Sequence, residues 1–156
     1  MRITLLMVGQ TTDKRISSLV DEYTARLSHY VSFELKVIPE LKNTKSLSTD
    51  EQRQREGDLI INSVGGDTFW LLDERGDALR SVEFAAFIER QMSASVKHLV
   101  FVIGGPYGFS PALYQRANQK VSLSPMTFSH QMVRLVFTEQ IYRACTILKG
   151  EPYHHE

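Results

Sequence analysis

The chain has one cysteine in 156 residues, Cys145, so no disulfide within it can brace the fold. It has no apolar run approaching the roughly 20 residues that a membrane-spanning helix needs. It has no excess of either charge, since 18 Lys and Arg balance 18 Asp and Glu. That balance argues against an indiscriminate polyanion binder, whose affinity rests on many phosphate contacts. Phosphate cradles are missing too: there is neither a G-x-G-x-x-G fingerprint nor a G-K-[ST] loop. The opening MRITLLMVG carries one basic residue, a short apolar run and no small-residue cleavage site, so it reads as a strand and not as a signal peptide. A cytoplasmic protein is the simplest expectation.

What is present is ordinary for one globular domain: 42% hydrophobic and 23% charged residues. Strand-like segments alternate with helical ones. RITLLMVG reads as a buried strand, and the segment after it places Ile16, Leu19, Val20, Tyr23 and Leu27 at helical spacing. SFELKVI alternates as a half-buried strand. A polar loop over 40–50 precedes a helix that runs to about Val64. TFWLLDERGD is a third strand leading into a turn. The stretch from Ser81 reads as a helix and HLVFVI as a strand apolar on both faces. SPALYQRANQ is a short helix with Pro111 in its first turn, KVSLS a short strand, and 129–148 the last helix. The pattern predicts an α/β fold, a mostly parallel sheet flanked by helices on both faces, in a single domain over 1–156.

In such sheets ligands bind beyond the carboxyl ends of the strands. Three segments fall there. WLLDERG places Leu72 at a strand end, followed by Asp73, Glu74 and Arg75. GGPYG allows close backbone approach at Gly104 and Gly105, while Pro106 removes a donor where a phosphate would want one. SLSPMTFSH offers Leu123, Met126 and Phe128 as apolar walls, with Pro125 between them and with hydroxyls at Ser124 and Thr127. These loops fit a flat heterocycle held by aliphatic walls and backbone groups. Turns that merely end strands fit the same spacing.

The last helix carries more apolar surface than one sheet face can cover. Val133, Val136, Phe137, Gln140, Ala144 and Leu148 form one stripe, with Met132, Leu135, Ile141, Cys145 and Ile147 largely off it. A homodimer through this helix would cover the surplus; burial against another helix of the same chain is the competing arrangement. Gln131, Arg134 and Thr138 read as a polar seam, and Arg143 as the ion-pair partner of Glu139 one turn before it. His130 opens the helix as a candidate proton acceptor or donor. In the tail, Tyr153 is suited to stack on a base, and His154 and His155 to contact phosphate or move a proton. Adjacent histidines in an extended tail diverge, and no cysteine or carboxylate cluster supports them, so no metal is expected. From Lys97 onward six Lys or Arg face three acids, which favours an anionic partner for that half.

VFVIGGPYG, then SLSPMTFSHQMVRLVFTEQIYRA, then PYHHE closely resemble the small knotted methyltransferases of the SPOUT superfamily. ITLLMVG, EYTARL, EGDLI and LLDERG extend the resemblance over essentially the whole chain. It implies a C-terminal trefoil knot over about 100–150, a feature that topology rules alone would not predict. It implies S-adenosylmethionine as cofactor, held by Leu72, Gly104, Gly105, Leu123, Ser124, Pro125, Met126, Thr127 and Phe128. It implies an obligate homodimer with the tail, 150–156, in the active site. The substrate it implies is N3 of a pseudouridine in large-subunit ribosomal RNA, presented by the assembled ribosome. His130, Arg134, Arg143, Tyr153 and His154 are the expected catalytic group. Ser129 and His155 depart from the family pattern, which has proline and a Lys or Arg there. Two other classes remain open on the residues alone: a flavodoxin-like binding module and a metal hydrolase using His130, His154 and His155.

Overall fold

A computed structural model describes residues 1–155. The elements, in chain order, are β1 (Arg2–Val8), α1 (Lys14–Leu27), β2 (Ser32–Ile38), α2 (Thr49–Val64), β3 (Thr68–Ala78), α3 (Ser81–Ser93), β4 (His98–Ile103), α4 (Pro111–Arg116), β5 (Gln119–Ser122) and α5 (His130–Leu148). A single 3₁₀ turn at Thr44–Ser46 interrupts the polar loop before α2. The five strands form one sheet in the order β2-β1-β4-β3-β5, and every pairing is parallel. The α/β architecture expected from the alternating pattern is therefore the one observed.

Two cores follow from the two faces. Leu27 of α1, Phe84 and Ile88 of α3, and Phe137 and Ile141 of α5 pack with Leu5, Trp70 and Phe101 on one face. Ile60 and Val64 of α2 and Leu113 of α4 pack with Leu6, Phe69 and Val102 on the other. Both faces of β1 and β4 are thus buried, which is why their sequences are apolar without alternation.

Helix starts follow local chemistry. Ser48 and Glu51 close a reciprocal capping box on α2. Ser110 caps α4 ahead of Pro111, and the Ser129 hydroxyl accepts from Met132 N to cap α5. Ser129 thereby supplies with a hydrogen bond what a proline supplies with a fixed φ. α3 starts at Ser81, where the Glu83 carboxylate accepts from the Arg80 backbone N–H at 2.8 Å.

β3 is not regular. Leu72 pairs with Val121, and five residues later Asp77 pairs with Val121 again, so Asp73–Gly76 loops out of the ladder. Gly76 makes this possible: a Cβ there would lie 2.7 Å from the Lys120 carbonyl carbon and the Val121 nitrogen. The expected turn after Leu72 is therefore a bulge within one long strand.

α5 differs from the expected helix in rotation. Its buried residues are Arg134, Phe137, Thr138, Ile141, Ala144, Cys145 and Thr146. Ile141 and Cys145, placed off the stripe by the sequence pattern, lie at its centre, and Arg134 and Thr138 of the supposed polar seam are buried beside them. Most of the polar atoms find local partners: Thr138 Oγ1 donates to Arg134 O at 2.7 Å, and Arg134 donates through its two terminal nitrogens to Val8 O at 2.8 Å and Thr11 Oγ1 at 3.0 Å, while its Nε is buried without a partner. α5 packs against both α1 and α3, so helices of the same chain take part of its surplus apolar surface.

Candidate active site

The β3 bulge, the loop after β4 and the loop between β5 and α5 meet at the carboxyl edge of the sheet around a cavity of about 350 Å³. Leu72, Ile103, Val121, Leu123, Phe128 and Val133 give it apolar walls; the backbone of 104–108 forms one side and His130 stands at its mouth. Eight of the nine residues expected to hold the cofactor line this space: Leu72, Gly104, Gly105, Leu123, Ser124, Met126, Thr127 and Phe128. Pro125 does not. Ser124 Oγ accepts from Met126 N at 2.9 Å, and Ser122 Oγ donates to Ser124 O at 3.0 Å, making a turn that leaves Pro125 exposed on its outer side.

Polar groups pin the walls together. Thr127 Oγ1 donates to Glu74 at 2.5 Å, tying the β5–α5 loop to the bulge. Asp73 accepts from Arg75 N at 2.8 Å and from the Tyr114 hydroxyl. Burial and that carboxylate push the Tyr114 hydroxyl up to about 12, so it stays a donor. The glycines serve the chain's own packing. A Cβ on Gly104 would sit 2.9 Å from the Phe109 ring, and one on Gly105 would sit 2.3 Å from the Glu56 carboxylate.

The lining suits a nucleoside-sized ligand, as its volume falls in the range of small-molecule sites. It suits a sulfonium better than a polyphosphate: Asp73 and Glu74 outnumber the one lining arginine, Arg75, which pairs with Asp73, and Pro106 offers no N–H. S-adenosylmethionine, bearing one sulfonium, an adenine and a short amino-acid chain, is compatible with these walls.

The remaining candidates form a second cluster. Arg143 donates to Glu139 Oε1 at 2.5 Å, lies 4.8 Å over the Tyr153 ring, and points an N–H at His154 Nδ1 at 3.3 Å. The Tyr153 hydroxyl donates to the same Glu139 oxygen at 3.0 Å and lies 3.3 Å from the Tyr23 hydroxyl. Burial, then these hydrogen bonds, push the Tyr153 hydroxyl well above its ordinary value; the Glu139 carboxylate raises the Arg143 guanidinium. Tyr30 donates to Glu151 at 2.5 Å, so the tail is anchored at two points on α1 and α5 and at one on the turn after α1. With an arginine N–H at Nδ1, the neutral His154 ring carries its proton on Nε2, which is buried without a partner.

Of the five expected catalytic residues, then, only His130 reaches the cavity. Arg143, Tyr153 and His154 lie together elsewhere; at 1.5 Å per residue, His130 and Arg143 are about 20 Å apart along α5. Arg134 belongs to neither group, being 2% exposed against the β1–α1 loop. Glu139, read in the sequence only as an ion-pair partner, is the hub of the tail cluster. Among the described residues no group of three His, Cys, Asp or Glu side chains comes together as a metal site.

A parallel α/β sheet with a nucleoside-sized cavity beyond β3, β4 and β5 fits an α/β protein that binds a small molecule at its sheet edge. The family model described as "Predicted SPOUT methyltransferase" matches residues 1–154, and the chain belongs to that family. It is 55% identical over 157 residues to proteins named ribosomal RNA large subunit methyltransferase H from Phocaeicola vulgatus and Bacteroides thetaiotaomicron, with all of each chain covered. A probable methyltransferase from Bordetella pertussis Tohama I superposes with a TM-score of 0.55 over 92% of this chain and 96% of its own, at 11% identity, a likeness of fold alone. The chain is accordingly a methyltransferase, and the non-catalytic flavodoxin-like alternative is set aside.

Proposed function

We propose that this enzyme transfers a methyl group from S-adenosylmethionine to N3 of a pseudouridine in large-subunit ribosomal RNA, on the assembled ribosome in the cytoplasm. The observation that carries the reading is the cavity walled by 72–75, 104–108, 123–124 and 126–128 in a chain of the SPOUT methyltransferase family, whose full-length relatives bear the ribosomal RNA methyltransferase name. Bound there, S-adenosylmethionine supplies an electrophilic methyl group. The protein's task is then alignment, proton removal and charge stabilisation.

His130, exposed at the cavity mouth, takes the N3 proton through water, because the protonated ring nitrogen is a poor nucleophile. His154, with Nδ1 accepting from Arg143, holds that guanidinium in place. Arg143 stabilises the negative charge that develops on the ring, and Tyr153 stacks on it. Arg134 holds α5 to the β1–α1 loop and positions His130 one turn away.

The two clusters meet in a homodimer through α5. The outward stripe Met132, Leu135, Val136, Glu139 and Arg143 runs from the cavity mouth to the tail. Antiparallel packing about a two-fold axis near Val136 sets one copy's Arg143, Tyr153 and His154 opposite the other copy's His130. A trefoil knot over about 100–150 is part of this reading. After β5 at the sheet edge the chain returns along the α1–α3 face as α5, and the Thr127–Glu74 hydrogen bond holds the returning loop against the bulge.

Purified protein incubated with methyl-labelled donor should label large-subunit RNA in ribosomes and leave the naked RNA essentially unlabelled. Equal labelling of naked RNA, or none of either, overturns the proposal.

A further inference from the structure

The segment 104–110, of which 104–109 line the cavity, is gripped from behind by two adjacent residues of α2 that do not themselves line it. Glu56 is 6% exposed, and its Oε1 accepts from Gly105 N at 2.8 Å. Its carboxylate lies over the Gly105 Cα, where a Cβ would come within 2.3 Å. Gly57 lets α2 close onto the other end of the same segment: a Cβ there would lie 2.4 Å from Oγ of Ser110, the α4 cap. The segment between is closed by a turn in which Gly108 N donates to Gly105 O at 3.2 Å, with Gly108 at φ +75. Both polar groups of the Gly105 backbone are therefore committed within the protein, one of them to a carboxylate.

Burying a carboxylate is unfavourable, and an apolar residue would fill that position at lower cost. Desolvation indeed holds the Glu56 carboxyl above its ordinary value. What the carboxylate provides is a strong hydrogen bond that fixes the orientation of the Gly104–Gly105 peptide at the edge of the cavity. A wall held to a fraction of an ångström is what tight binding of a donor requires.

We infer that Glu56 is a positioning residue for donor binding, and that Glu56 and Gly57 together clamp the 104–110 segment from α2. This rests on the cavity being the donor site. Amide hydrogen exchange of 104–110, measured without donor, and calorimetry with S-adenosylmethionine test it separately. Glu56→Ala and Glu56→Asp, which remove or withdraw the acceptor, should speed exchange of the segment at least about tenfold and raise the donor Kd by a similar factor. Glu56→Gln, whose amide oxygen can accept the same bond, should stay within about twofold of the parent in both. Gly57→Ala should reproduce the Glu56→Ala effect from the other jaw. Ile60→Val, a fully buried change on the same helix, should lower stability and leave Kd unchanged. The clamp is refuted if Glu56→Asp leaves exchange and Kd unchanged, if Glu56→Gln behaves like Glu56→Ala, or if Ile60→Val weakens binding as much. If the parent protein binds no donor, the cavity assignment fails, and the exchange data still decide whether Glu56 clamps the wall.

Discussion

At the scale of single residues, Glu139 does more than its place in the sequence suggests. One of its oxygens receives both Arg143 and the Tyr153 hydroxyl, so the tail is preorganised before any RNA arrives. Tyr153→Phe keeps the ring for stacking and loses the hydroxyl's bonds to Glu139 and Tyr23. Its kcat on ribosomes should fall about tenfold with a far smaller change in donor Kd; steady-state kinetics beside calorimetry separates the two. Burial pushes the Cys145 thiol up to about 11. Its folded value lies above the unfolded one, so the stability linked to it is complete below about 9 and declines as pH rises towards 11. At pH 8 the folded protein should resist iodoacetamide, and the protein in denaturant should be alkylated quantitatively, as read by mass spectrometry. His130 and the three strand-end loops were legible in the sequence because glycine, proline and hydroxyl-bearing loops directly after apolar strands mark the edge where a parallel sheet binds its ligand. Glu56 was not, since it acts through Gly105, distant in the chain; of Glu139 only the pair with Arg143 was legible, and its bond to the Tyr153 hydroxyl in the tail was not.

At the scale of elements, the strands and helices follow from pattern, while the facing of α5 does not. A period of 3.6 places Phe137 inward, but two stripes compete. The deciding contact is Arg134, whose guanidinium reaches the end of β1 and the loop beyond it. Pattern alone turns an arginine outward by default, and that default rotates the helix by about one residue. The β3 bulge was hidden for a related reason: Asp-Glu-Arg-Gly reads as a terminating turn, and only the second pairing of Val121, through Asp77, shows the strand resuming. Gly76→Ala should drive the bulge off β5 and spoil the cavity edge. We expect a lower Tm by several degrees and a donor Kd raised about tenfold or more, measured by calorimetric scanning and titration.

At the scale of the whole molecule, one chain carries the cavity and the tail cluster at opposite ends of one helix. Met132, 41% exposed on the outward stripe, lies between the cavity mouth and the proposed two-fold axis. Met132→Glu should yield monomers in sedimentation equilibrium and lose methyl transfer, with the fold intact by circular dichroism. The zero net charge fits a protein that recognises a shaped ribosomal surface and not free polyanion. Filter binding to an isolated RNA stem-loop should accordingly be weak and abolished by moderate salt. No helix among the described residues is long and apolar enough to cross a membrane.

The measurement that bears most directly on the central claim is mass mapping of large-subunit ribosomal RNA from cells with and without this chain. The account predicts one pseudouridine that is methylated in the parent, unmethylated in the deletion, and restored by the wild-type gene but not by one encoding Gly76→Ala. An identical modification map in the deletion strain would contradict it.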